Sequence, residues 1–571
     1  MNGSRVHFEV FIRKVPGAPW TLDLATENRQ AALQTAQELM DEGRVAAVRV
    51  SKEVFDEEAR EFSSAVILKL GAAEYTAKAR PQSEPQPLCV TPQDLYTLHA
   101  RERIGRLLEG WLERNNATPF ELLHRPDLVE KLEASGVDLQ HAIQKIAVPE
   151  AHARSMSVHE LIRIFHGLIE RAVDRLTKDH RKGVLPKLDK EGFAAAADRL
   201  AQDPERGYLL GAGVAASIAP AKTWAEKVDR LMDLADSAPQ KGLGRTAALS
   251  VIQQPLAEIL EAKPGMSDIM GKGQDLGANL AAMTRLAAYD AVESLISIEK
   301  SVERVMPPMS PLAVRLARWL SGESFKDVRS AIGRRILREL MGPRRLCPGD
   351  AEREIHVLRA LAMSLTAASG NLLPLEDVQT AFAARSKMLV NGDFVEAYLG
   401  QGRSALDEVE ALVWLTENVI GAANKRQAGG WLKALIGSLR FEKEMVAGPL
   451  ETAGGRLAQL AALHRAVGRC GLVPEDYEPI QEKLGDVGGA VETEARLTQA
   501  VARANVPTVN RLVMLLRLAA GETAPRGPAS MRARSEALKL FKLDSTRAEL
   551  AAAPERMAQV RDLIQAAGMA A

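Results

Sequence analysis

The first seventy residues alternate apolar and polar positions in a way that the rest of the chain does not. In "VHFEVFIRK" (6–14), Phe8, Val10 and Ile12 alternate with His7, Glu9, Phe11 and Arg13, a period of two that sends successive side chains to opposite faces of a strand. "WTLDLAT" (20–26) repeats the pattern after the turn sequence "VPGAP", which predicts a hairpin. From Glu27 to Arg44 the spacing becomes helical through Ala31, Leu33, Ala36 and Leu39. "RVAAVRV" and "FSSAVILKL" then read as two further strands. The order β-β-α-β-β predicts a small α/β module over residues 1–72, with one helix against one sheet face. The other face, or an edge strand, needs cover of its own.

"KARPQSEPQPLCV" (78–90) holds three prolines within seven residues and little to bury, so residues 73–90 read as a tether. Beyond Thr91 no strand pattern stands out, and capped amphipathic helices follow one another. Thr91-Pro92 sets a cap residue before a first-turn proline. Ser157-Val-His-Glu160 and Thr223-Trp-Ala-Glu226 spell capping boxes, and Ser324-Phe-Lys-Asp327 a shorter version. The fold class is therefore mainly α: an irregular helical bundle or solenoid body behind a ββαββ module. Breaks rich in Pro and Gly divide that body into helical domains over 91–306 and 307–521 and a C-terminal helical segment over 522–571. No fixed period of 20 to 50 residues supports a regular repeat array. The 274–305 stretch reads as one long helix, with Leu276, Leu280, Met283, Ala287, Leu295, Ile298, Val302 and Val305 near a coiled-coil seam. It could pair two copies of the chain, although the spine of a domain is the favoured reading.

Composition narrows the classes. Seventy-four basic residues balance seventy-four acidic ones, so no whole-surface attraction to nucleic acid or an anionic membrane is expected, while a local patch stays open. Three widely spaced cysteines (Cys89, Cys347, Cys470) match no metal-ligand spacing. With no secretory pattern and no apolar run of membrane length, a cytoplasmic location is expected. The alanine- and arginine-rich composition suggests a bacterial source.

Four stretches carry candidate chemistry. "YLLGAGVAASIAP" (208–220) contains the Gly-x-Gly-x-x-Ala of a dinucleotide fingerprint, but no room for a strand precedes it, and such a fingerprint works only between strand and helix. Read as a helix, Gly207, Gly211, Ala215 and Ala219 form a stripe without bulk, suited to close helix packing; no cofactor is expected. His159, His166 and Glu170 share a helix face and make the sharpest metal hypothesis. Metal-holding bundles, however, space Glu and His three apart and point them inward, whereas here the spacing is four and the face lies about 120° from the apolar centre.

The third stretch, 311–345, sets nine basic residues against three acidic ones. Arg334, Arg335 and Arg338 project away from its core-facing side, and Arg344 and Arg345 follow, a group suited to an anion or an acidic partner surface. An exposed face pairing with acidic helices of the same chain is the favoured alternative, and the lack of aromatics among 329–345 argues against RNA. Lastly, Ser297-x-x-Lys300 lacks its companion motifs, and Cys347 follows two arginines that could lower its pKa but has no partner base. Together these features point to a non-enzymatic adaptor or regulatory scaffold acting through a protein partner. The alternative is a helical sensor or enzyme that holds a metal on the His159/His166/Glu170 face or an anion on the Arg334/Arg338 face.

Overall fold

The computed structural model describes residues 6–14, 20–42, 45–56, 61–71, 88–271 and 275–569. The chain is mainly helical, with 31 α-helices among the described residues and one four-stranded sheet near the N-terminus. It divides into two compact units, residues 1–88 and 89–571. Most of the expected tether, 72–87, lies outside the described residues.

In the first unit, strands β1 (Val6–Arg13), β2 (Thr21–Thr26), β3 (Ala47–Asp56) and β4 (Glu61–Gly71) pair antiparallel in the order β2-β1-β3-β4. Helix α1 (Arg29–Asp41) starts at Asn28, whose side chain accepts from the amides of Gln30 and Ala31. The alternating residues Phe8, Val10 and Ile12, with Val48 and Val50, face α1. Ala32 and Ala36, both fully buried, present no bulk there and let the helix lie close to the sheet. The element order β-β-α-β-β read from the alternation is the one observed.

The second unit is built on a single hydrophobic core that runs from Phe120 to Met569, undivided at 306–311 or 521–530, with a smaller cluster around Trp111, Leu122 and Leu132. Helix starts follow the expected caps only in part. The Thr223 hydroxyl accepts from the amide of Glu226 at the head of Trp224–Asp236. Ser157 occupies the cap position of Val158–Arg181 without making a side-chain cap bond, and the helix Lys326–Leu340 begins after Phe325 rather than at Ser324.

The 274–305 segment is not one helix. Leu276–Ala287, Tyr289–Ile298 and Lys300–Glu303 are separated where Ala288 and Glu299 leave helical geometry. Leu276, Leu280, Met283 and Ala287 are buried in this chain's own core, where the first of the three helices packs against Pro311–Ser321, Lys326–Leu340 and Ala351–Ala367. A Cβ at Gly277 would lie 2.7 Å from a methyl of Val357. The first half of the apolar seam, with Val302, is thus covered from within, whereas Ile298 is 83% exposed.

"YLLGAGVAASIAP" lies on the helix Arg206–Ile218, buried from Tyr208 through Ala215. Gly211 does what the small-residue stripe implies: a Cβ there would sit 2.4 Å from His124 Nε2 on the helix Pro119–His124. Gly207, one turn earlier, is exposed and meets nothing within 4 Å, so the close approach is confined to the middle of the stripe. Gly213, outside the stripe, makes a similar approach to Leu188. Gly211→Ala should destabilise the protein by about 1–3 kcal/mol through overpacking. Gly207→Ala should be neutral or stabilising by up to about 1 kcal/mol. Thermal midpoints measure both, and equal responses would mean that packing is not what holds glycine at 211.

Many helix ends are closed by cations from other helices. Arg385, fully buried on Leu375–Leu389, donates from Nε to the Leu340 carbonyl (2.7 Å), from Nη2 to Glu339 (2.8 Å) and from Nη1 to Arg344 (2.5 Å). The Glu339 and Leu340 carbonyls belong to the end of Lys326–Leu340, and the Arg344 carbonyl to the segment just beyond it. Arg385→Met keeps much of the packed stem but strips all three of a donor, and should cost at least about 3 kcal/mol. The exposed control Arg318→Met should stay within about 0.5 kcal/mol, both read from thermal midpoints.

Candidate functional site

The largest groups of buried charge lie where the N-terminal helices of the body meet its core. Glu121, fully buried, accepts from Lys227 Nζ (2.6 Å), Arg125 Nη1 (3.0 Å) and the Thr118 amide (3.0 Å). Lys227 also donates to the Asn116 carbonyl, and burial lowers its pKa. Nearby, Glu258 accepts from Arg101 Nε (2.8 Å) and the Phe120 amide (2.7 Å), while Arg101 donates further to Tyr96 O and Gln254. Burial pushes the Glu258 carboxyl up to about 7, against the pull of Arg101 and the amide. A carboxyl in that range often marks catalysis, but both oxygens here are occupied by protein donors. The group is a joint between the Gly242–Glu261 helix and the segments carrying Arg101 and Phe120.

His124 completes this region. Its Nδ1–H donates to the Phe120 carbonyl (2.7 Å), leaving Nε2 as the acceptor, buried against Gly211 without a hydrogen-bond partner among the described residues. The rings of Phe120, Tyr96 and Tyr208 lie 4.4, 5.0 and 6.1 Å away. Burial pushes the imidazole pKa down to about 4, and Arg101 adds to the effect.

The metal hypothesis meets a solvated face: His159, His166 and Glu170 are all exposed on Val158–Arg181. Among the described residues, no group of three His, Cys, Asp or Glu could hold a metal ion. Cys347 is buried, and burial, with Asp275 adding, pushes its thiol up to about 12, opposite to the expected influence of its arginines. Ser297 donates to the Ser294 carbonyl and stands on a different helix from Lys300.

The arginines of 311–345 part company. Arg335 does not project from the core as expected: it is buried, and Nη1 donates to the carbonyls of Leu260 (2.5 Å) and Glu261 (3.0 Å) at the end of Gly242–Glu261. Its long stem reaches across the helix flank to those carbonyls, which a projection from Cα positions alone cannot show. Arg345 donates to Glu354 (2.8 Å) and lies over the Phe394 ring. Arg334, Arg338 and Arg344 are exposed.

Arg315 is the hub of an open cleft. Asp229, Asp233 and Asp236 stand on one face of Trp224–Asp236 and hold its guanidinium at 3.0, 2.8 and 2.5 Å. Asp236 also accepts from Trp319 Nε1 (3.0 Å), and the indole stacks on buried Phe325 at 5.2 Å. The trident fixes Arg315 and Trp319 beside a cleft of about 550 Å³, whose wall is completed by Met309, Pro311, Val314 and Arg318. Met309, Val314 and Trp319 are half-buried, and Arg318 is exposed. Sequence reasoning singled out the basic stretch but not this cleft, because the acids that organise it lie some eighty residues upstream.

No family model matches the chain, and neither a curated protein nor a solved structure matches it significantly. No helix among the described residues is long and apolar enough to cross a membrane.

The depressed His124 pKa carries a pH signature. In the unfolded chain a histidine titrates near 6.5, so between about 6.5 and 4 the unfolded state binds more protons than the folded one. Stability from this group is complete above about pH 6.5 and is lost, at about 1.4 kcal/mol per pH unit, as pH falls toward 4. Thermal midpoints across pH 7 to 4 should fall more steeply in the native chain than in His124→Gln, which has no titrating ring. Parallel curves would show that His124 is not buried neutral.

Proposed function

We propose that the protein is a non-enzymatic adaptor or regulatory scaffold that binds a protein partner, with the Arg315–Trp319 cleft as a contact surface. The observation that carries this reading is the cleft's lining. It combines an apolar floor of Met309, Val314 and Trp319 with an Arg315 already neutralised by three carboxylates and an exposed Arg318. Such a surface supplies shape, apolar area and one cation, the ingredients of a protein contact. None of the seven residues found to line it is a histidine, cysteine, serine or threonine. Glu258 and His124, a buried carboxyl and a buried imidazole with large shifts, are held in joints of the framework.

The test compares full-length protein with Val314→Asp, which puts a charge on the apolar floor. Partners are captured from the native cell extract and identified. A stoichiometric protein held by the native chain and lost from the variant, with the thermal midpoint changed by no more than a few degrees, is the expected result. Stoichiometric metal in the purified protein, or a midpoint raised several degrees by a nucleotide, would instead favour the ligand-binding sensor.

A further inference from the structure

The sheet face of the N-terminal module turned away from α1 carries a different chemistry from the rest of the chain. Because Val10 and Ile12 face α1, Phe11 and Arg13 lie on the opposite side. The pairing register fixes their neighbours. Phe11 stands opposite Leu22 on β2 and Arg49 on β3, and Arg49 stands opposite Lys69 on β4. One row across all four strands thus reads Leu22, Phe11, Arg49, Lys69. The next row sets Arg13 beside Ala47 and Gly71, two residues that add no bulk.

Trp20 ties the two rows together. The Arg13 guanidinium lies 4.4 Å and that of Arg49 5.1 Å from its ring centroid, and Arg49 lies 4.6 Å from that of Phe11. Two aromatic rings are therefore interleaved with two guanidinium groups on one sheet surface, and the edge of the patch is marked by Lys69. Phe11, Arg13, Trp20 and Arg49 are half-buried, Leu22 and Lys69 exposed.

Exposed Asp23 stands at the β1–β2 bulge between Leu22 and Leu24, and further acids lie along the strands. Glu9 sits one row away, about 7 Å along β1, and is bonded to His7 (3.2 Å), which stands opposite Glu53 in the row beyond. Residues 1–88 carry eleven basic and thirteen acidic residues, so the positive patch arises from segregation and not from an overall excess. Three cations in two adjacent rows attract a polyanion, and rings backed by guanidinium groups are platforms for planar bases. An acidic peptide would use the cations but has no need of the rings.

We infer that this face binds single-stranded nucleic acid, through phosphate contacts from Arg13, Arg49 and Lys69 and base stacking at Trp20 and Phe11. The site is independent of the cleft in the helical body, and nothing in the partner-binding reading requires it.

The test measures fluorescence anisotropy of a labelled fifteen-nucleotide oligothymidylate against the full-length chain at low salt. The native chain should bind with an affinity that falls steeply with salt. Arg13→Gln with Arg49→Gln, and separately Trp20→Leu, should each weaken binding at least about tenfold. Arg49→Lys alone should retain most of it, and hydrogen-exchange protection of the β1 and β3 amides in the full-length variants serves as a folding control. Four outcomes overturn the proposal: no binding by the native chain, binding that the arginine pair or Trp20 does not affect, duplex DNA bound as well as the single strand, or displacement by polyglutamate at equal charge concentration. The last would reassign the face to an acidic protein segment.

Discussion

The helical body depends on one recurring interaction: a cation on one helix donating to the terminal carbonyls of another. The last four carbonyls of a helix lack partners within it and carry the negative end of its dipole, and a guanidinium offers five donors in a fixed fork. Arg335 on Lys326–Leu340 closes Gly242–Glu261, and Arg385 in turn closes Lys326–Leu340. Further along, Lys425 on Ala422–Ile436 donates to Thr416 (2.9 Å) and Glu417 (3.2 Å) at the end of Ala405–Asn418. Arg456 closes Leu439–Val446, Arg465 reaches Gly521 and Glu522 beyond Thr508–Ala519, and Arg511 reaches Ala502 near the end of Leu497–Arg503. Each bond joins elements that packing alone would leave free to slide, because a carbonyl cluster fixes position along the axis as well as contact.

This explains which parts of the architecture could be read from the chain and which could not. Strands β1 and β2 and helix α1 announce themselves because their pattern is local: Phe8, Val10 and Ile12 alternate, then Ala31, Leu33, Ala36 and Leu39 take helical spacing. Capping in trans leaves no local trace. Arg335 lies 75 residues from Leu260 and Arg385 45 from Leu340, so an arginine on a helix flank looks like solvated charge. One signal was present: Gly242–Glu261 ends at Ala262 with extended backbone and no left-handed glycine, so its carbonyls needed donors from elsewhere. The broken 274–305 segment misleads for a related reason. Its seam residues keep helical spacing across Ala288 and Glu299, but the helix Leu276–Ala287 packs its share of them against three different helices of the same core.

The candidate site divides along the same line. The fingerprint-like glycines were rightly assigned to a helix, yet what Gly211 makes room for, the buried ring of His124, stands 87 residues earlier and carried no signal of its own. Burying His124 neutral, and Glu121 with Lys227 and Arg125, costs desolvation that hydrophobic residues would not incur. What such groups supply in return is direction: Glu121 accepts from Thr118 and Arg125 at the two ends of its own helix and from Lys227 on Trp224–Asp236, so the ion pair fixes one helix against the other. The Arg315 trident is the exposed counterpart, worth less in energy but sufficient to orient Trp319.

Charge neutrality therefore has a different meaning in the two units. In the body, several arginines that look like a basic surface are fastened to carbonyls and carboxylates: of the nine cations in 311–345, four (Arg315, Arg329, Arg335 and Arg345) are bonded to this chain's own acceptors. A count of charges along that stretch overstates what a ligand would meet. In the module the reverse holds, since residues 1–88 are slightly acidic overall, yet the register gathers Arg13, Arg49 and Lys69 into two adjoining rows. Strand pairing concentrates charge that composition hides, and helix capping hides charge that composition shows, so the positive surface lies where the sequence totals point least.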